Sequence, residues 1–349
     1  MRGNNKKLLA LALSTAFMLS TVAGCGGGSG TAKTSATKPT APIVIHMAAT
    51  VPDNHSYTPA AKAFAKEVTE KTNGAVTPIV EFGGVHGGDV QTVQDCIRGT
   101  LEMTWTSDIG LSGVIPELGF TNMPYLFKDY SAVDSVYRNG WVGDIVKEKA
   151  KAKGIIVLAI GENEYRGMTN SVRPITKVSD LKNLKLRVPE NPLYMDLYKR
   201  CGVLPTPMAI TEVATALQQG TIDGQDNGAC ITATNGFGQF QKYATKLMHI
   251  YSGMDICISQ KTWDKLTPEQ QKIVQTAATK AADMQVKQNR KDQDKFYKQL
   301  SDEGVQVIDA TPELTSEMKA IAAKMYTDPS YAKQFGQDVM KKVQEEAAK

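Results

Sequence analysis

KLRVPENP at residues 185–192 and PTPMAITEVATALQQGTIDGQDN at residues 205–227 decide how this 349-residue chain is read. Alternation over 184–188 predicts a short strand with Leu184, Leu186 and Val188 on one face. Lys185 and Arg187 fall on the other face, so Arg187 points away from a core. Residues 211–219 predict a short helix, with Thr211 as N-cap and Val213, Ala214, Ala216 and Leu217 as its apolar side. Gly220 supplies the left-handed stop. A second strand at 221–225 runs into Asp226 and Asn227.

Outward from this stretch, strands and helices alternate. Strand patterns at 43–48, 76–82 and 101–106 enclose amphipathic helices at 57–71 and 90–98, which predicts an α/β fold with mainly parallel pairing. A helix at 141–152, a strand at 155–160 and strands at 246–251 and 255–259 follow. Thr267 before Pro268 reads as the N-cap of a helix carrying Val274, Ala277, Ala278, Ala281 and Ala282 at helical spacing toward Leu300. A strand at 305–308, a helix at 312–325 and a solvated helical tail after Phe335 complete the chain. From Pro42 onward there are about 300 residues, more than one hydrophobic core usually covers, so two lobes are expected.

The central stretch resembles, in order and spacing, the signature KxRVP followed by ALQxGxxDGxEN of the DctP type of TRAP (tripartite ATP-independent) transporter substrate-binding proteins. Asp226 stands where glutamate is commoner. The resemblance implies a two-lobed, periplasmic-binding-protein-like fold with hinge strands and a long helix spanning both lobes. It places lobe one at 43–161 and 253–292, and lobe two at 162–252 and 293–349. It implies a receptor without catalytic residues, cofactor or metal, which captures a small organic acid anion and delivers it to small and large membrane subunits. A monomer is the expected state.

Arg187 is the first binding candidate, because a guanidinium presents paired planar donors that match a carboxylate. Family members use the arginine at this place for the ligand carboxylate. Asn227, which closes the motif, sits beside the ligand in the family, and its amide offers both donors and an acceptor. Arg166 resembles an upstream family arginine, with ligand contact and a hinge ion pair both open. Trp105 ends the third predicted strand, where cleft wall and core packing are both open. Met208, Glu190 and Asn191 adjoin the motif as pocket lining or as packing and capping residues. His55 with Asn54, and His86 among glycines, are candidates for the rim. No basic residue follows Trp105 in the stretch 106–110, which disfavours the sialic acid taken by one branch of the family.

At the amino terminus, Arg2, Lys6 and Lys7 precede an apolar run at 8–22 that is short for a bilayer span and has the order of an export signal. It closes on Val22-Ala23-Gly24-Cys25, which resembles a bacterial lipobox. A signal peptide at 1–24 and lipidation of Cys25 are therefore expected, with the protein held at the membrane on its extracytoplasmic side. Residues 26–42, rich in Gly, Ser, Thr, Lys and Pro, read as a tether whose coil would reach roughly 20–25 Å.

The formal charge of +4 loses three positive groups with residues 1–24, leaving +1. A body so near neutrality has no global field for nucleic acid. Cys96, Cys201, Cys230 and Cys257 are isolated, with no CxxC, and a Cys201–Cys230 or Cys230–Cys257 pair stays open. GxSxG, HExxH and Walker patterns are missing, which argues against a hydrolase or nucleotide enzyme. A solute-binding lipoprotein of an ATP-driven importer or a chemosensory system is the alternative reading.

Overall fold

The computed structural model describes residues 41–349, so the predicted signal peptide, Cys25 and the tether as far as residue 40 lie outside the described residues. Eleven strands form two sheets among them. In the first sheet, β1 (Ile43–Ala48), β2 (Val76–Glu81), β3 (Met103–Ser107), β4 (Ile155–Tyr165) and β10 (Tyr251–Ser259) lie in the order β2-β1-β3-β10-β4. The second contains β5 (Gly167–Asn170), β6 (Lys185–Val188), β7 (Leu204–Pro207), β8 (Gly224–Asn227), β9 (Tyr243–Lys246) and β11 (Gln306–Asp309), in the order β11-β9-β5-β8-β6-β7. The α/β class and two-lobed form read from the sequence hold.

Pairing is mixed rather than mainly parallel. β1 runs parallel to β2 and β3, whereas β10 is antiparallel to both β3 and β4, and β5 is antiparallel to β8 and β9. The chain passes between the sheets at Arg166, between β4 and β5, and again at 247–250, between β9 and β10. Strands entering from the other sheet need no helical crossover, so they are free to run antiparallel.

β4 extends beyond the predicted 155–160 because its polar half finds partners. The helix Pro268–Asp302, 35 residues long, lies along it. Gln285 of that helix donates to the Glu162 carbonyl at 2.8 Å and accepts from the Glu162 N–H at 2.9 Å. Asn289 donates to the Asn163 carbonyl at 2.7 Å, and Arg290 to the Glu162 carboxylate at 2.8 Å. Thr267 caps the helix as its sequence predicts: its hydroxyl accepts from Gln270 N–H at 3.2 Å while Gln270 Oε1 accepts from Thr267 N–H at 2.9 Å. Such a capping box contributes about 1 kcal/mol.

The strand predicted at 246–251 is absent, because β9 ends at Lys246 and β10 begins at Tyr251 on the other sheet. Three further local expectations change. The helix predicted from Thr211 begins instead at Val213, after a 3-10 turn at Ile210–Glu212 closed by Glu212 N–H on the Ala209 carbonyl at 3.1 Å. The strand predicted at 221–225 starts at Gly224, because Thr221 N–H is taken by the Ala216 carbonyl at the end of the preceding helix. The segment after Phe335 is a helix, Gln337–Ala347, that buries Met340 and Val343 in the main core rather than standing in solvent. Its apolar residues three apart share a face. The four cysteines after residue 40 are buried free thiols, and no helix among the described residues is long and apolar enough to cross a membrane.

Candidate functional site

A cavity of about 50 Å³ lies between the two sheets. The first sheet and its loops contribute Thr50, Tyr57, Asp89 and Ser107; β4 and the second sheet contribute Asn163, Arg166, Arg187, Glu190 and Asn227. Two loops close over it. Built Cβ atoms show how near they come: one on Gly84 would lie 2.7 Å from the Thr211 methyl, and one on Gly88 3.2 Å from Ala209 Cβ. Asn191 adds a hydrogen bond between the halves, donating to Ser112 Oγ at 2.8 Å.

Arg187 sits on β6, whose parallel neighbour β7 leads directly to Met208. That pairing sets the Met208 carbonyl beside the guanidinium, which donates to it through Nε at 2.9 Å and Nη2 at 2.8 Å. Arg187 is 3% exposed, yet no carboxylate lies within 4 Å of it among the described residues. Burial, and next the like charge of Arg166, push its pKa down to about 10, so it stays charged at neutral pH. An interior cation without an ion-pair partner is costly, and an anion entering the cavity would relieve that cost.

Arg166 differs in this respect. It pairs with the Asp226 carboxylate through Nε and donates through Nη2 to the Asp226 carbonyl at 2.5 Å and to Asn227 Oδ1 at 3.0 Å. Asp226 also accepts from the Tyr198 hydroxyl and lies 3.1 Å from His249 Nε2. Burial alone would raise the Asp226 carboxyl, but Arg166 and then His249 outweigh it and hold it below the usual carboxylate range. Asn227 is fixed at both ends, its Nδ2 donating to Gln225 Oε1. Gly228 follows because a Cβ there would lie 2.1 Å from the Glu164 carboxyl carbon. That carboxylate accepts from the N–H groups of Cys230 and Ile231 at 2.9 and 3.0 Å, and burial still raises it to about 7.

Four sequence candidates therefore share the cavity: Arg187, Asn227, Arg166 and Glu190. Met208 contributes its carbonyl to Arg187 and is not part of the cavity wall. Trp105 lies in the core behind the cavity, packed against Tyr57, Phe64 and Phe82, with its indole N–H unpartnered. His55 is also interior, stacked edge-on against Tyr57, and burial pushes its pKa down to about 3. His86 turns to Glu81 at 2.6 Å, and Arg173 holds the carbonyls of Asp180 and Lys182. Sequence reasoning did not single out Asp89, Ser107, Thr50 or Asn163, whose types and spacing carry no motif.

The family described as bacterial extracellular solute-binding protein, family 7 (DctP), matches residues 47–334, and the chain belongs to it. The 2,3-diketo-L-gulonate-binding periplasmic protein YiaO of Escherichia coli (strain K12) is 32% identical over 250 residues, 71% of this chain and 76% of that protein. Among solved structures, a TRAP periplasmic solute-binding protein from Polaromonas sp. JS666 bound to D-erythronate matches with 34% identity and a TM-score of 0.82, over 86% of this chain and 98% of that one. The sugar acid binding protein DctPAm from Advenella mimigardefordensis, in complex with galactonate, matches with 29% identity and a TM-score of 0.83, over 88% and 98% of the respective chains. The family consists of solute receptors of transporters rather than enzymes.

Proposed function

We propose that the chain is the lipid-anchored substrate-binding protein of a TRAP transporter, capturing a small organic acid anion by its carboxylate and presenting it to the small and large membrane subunits. The observation that carries this reading is Arg187: a buried, charged guanidinium, held along one edge by the Met208 carbonyl, at a cavity with no protein carboxylate against it. The ligand carboxylate supplies the missing charge, and Asn227 and Arg166 border the same space. Charge-assisted hydrogen bonds contribute about 1.5–3 kcal/mol each, whereas micromolar affinity requires about 8, so several contacts act together. The organic acids held by the relatives above support the ligand class.

The lobes are assigned to 43–161 with 253–292 and to 162–252 with 293–349, with the crossings at Arg166 and at 247–250 as hinges. Closure around the acid forms the surface that the membrane subunits recognise. Cys25 carries the lipid, and the folded body works as a monomer outside the cytoplasm. A thermal-shift screen of organic acids, followed by calorimetry on wild type and Arg187→Ala, tests the reading. Stabilisation by at least one acid, abolished in the variant, is expected; equal affinity of both proteins would remove Arg187 from the role.

A further inference from the structure

We propose that Asp89 is the second pole of the binding site and selects a short hydroxylated acid, taking hydroxyl protons at the end of the ligand remote from Arg187. This inference rests on the carboxylate reading above. Asp89 opens the helix Asp89–Arg98 and lines the cavity from the sheet opposite Arg187. Its two oxygens are oriented by the protein: Thr50 Oγ1 donates to one at 3.3 Å and Ser107 Oγ to the other at 3.0 Å. An ionised carboxylate accepts about four hydrogen bonds, so each oxygen keeps a free acceptor position. Asp89 makes no ion pair with Arg187 or any other cation within 4 Å among the described residues, although both line the same cavity.

A second, independent feature points the same way. Asn163 borders the cavity, is 5% exposed, and its Oδ1 has no hydrogen-bond partner among the described residues. The site thus combines donors at Arg187 with spare acceptor positions on Asp89 and an unpartnered acceptor at Asn163. A ligand completes it by offering acceptors at one end and donors at the other, as a hydroxy acid does; an unsubstituted aliphatic acid leaves the Asn163 oxygen unpaired and the Asp89 carboxylate facing carbon. Size sets the length. A cavity of about 50 Å³ has room for roughly three to five waters, which suits an acid of about three to five carbons and crowds a six-carbon one.

Calorimetry on the full mature protein with erythronate, butanoate and galactonate tests this. Wild type is expected to bind erythronate at least tenfold more tightly than either of the others. In Asp89→Asn, erythronate is expected to weaken at least tenfold, and the preference over butanoate to fall below threefold. Butanoate itself holds or tightens, because a like charge has been removed. An unchanged preference in Asp89→Asn, or equal binding of erythronate and butanoate by wild type, overturns the inference while leaving the carboxylate reading intact. Galactonate binding as tightly as erythronate overturns the size limit. Wild type that binds none of the three while the thermal-shift screen finds another acid overturns this inference alone, and wild type that binds no acid in that screen overturns the carboxylate reading with it. The ligand series on wild type holds whether or not Asp89→Asn folds.

Discussion

Arg187 donates Nε and Nη2 to a single backbone oxygen, the Met208 carbonyl, at 2.9 and 2.8 Å. This contact fixes the plane of the guanidinium without neutralising it, and Nη1 has no hydrogen-bond partner among the described residues. Lysine keeps the charge but has one flexible ammonium, which cannot grip the carbonyl and a carboxylate in the same fixed plane. Arg187→Lys is expected to weaken binding of any acid that stabilises the wild type by tenfold or more in calorimetry. Equal affinities would show that charge alone suffices.

Gly88 has φ −77° and ψ 173°, a backbone that valine also adopts, so its substitution acts through space rather than strain. A Cβ there already lies 3.2 Å from Ala209 Cβ, and the further methyls of valine would overlap it. Gly88→Val is expected to lower the melting temperature of ligand-free protein by no more than a few degrees, since the two loops part to relieve the overlap when no ligand holds them together. Ligand affinity should drop at least tenfold, and scattering should show no compaction when ligand is added. Compaction equal to that of the wild type would exclude closure at this contact.

Glu164 titrates at about 7 against an ordinary value of 4.5, because burial outweighs the N–H groups of Ile231 and Cys230 and the charge of Arg166. Between pH 4.5 and 7 the folded protein therefore binds more protons here than the unfolded chain, so this group makes stability fall as pH rises through that window. The contribution is roughly 3 kcal/mol, complete above pH 7. Denaturant titrations at pH 5 and pH 8 should show a smaller difference in Glu164→Gln than in wild type. A pH dependence identical in the two proteins would contradict the assignment.

Asp255 is fully buried on β10, and neither carboxylate oxygen has a hydrogen-bond partner among the described residues. Burial, and next the neighbouring Asp108, raise its pKa well above the usual range. Removing an unpartnered interior polar group of this kind gains about 1–3 kcal/mol. Asp255→Val is expected to raise the midpoint of urea unfolding at pH 7, by more than at pH 5. A destabilised variant would mean that Asp255 has a partner in solution, such as an ordered water.

Where the sequence was legible, its signals were local. The apolar spacing of Tyr57–Lys71, the Thr267 cap and the glycine after 219 act within a few turns of chain, and the structure reproduces them. β3 shows the limit: all five residues of Met103–Ser107 are buried, so alternation could not assign Trp105 to the cleft or to the core. Asp89 was passed over for a related reason. The sequence places it just ahead of the helix at 90–98, where an aspartate is ordinary, and only the fold carries it to the cavity shared with a strand almost a hundred residues away.

By itself, the sequence determined the α/β alternation, the long capped helix and the motif that names Arg187 and Asn227, because propensity, capping and strand alternation operate between near neighbours. Tertiary structure alone decided which charge is answered. Arg166 receives Asp226 while Arg187 receives only a carbonyl, and Asp89 stands across the cavity from it. Desolvation and Coulomb energy depend on distances through space, and the chain acquires those distances only when its two sheets come together.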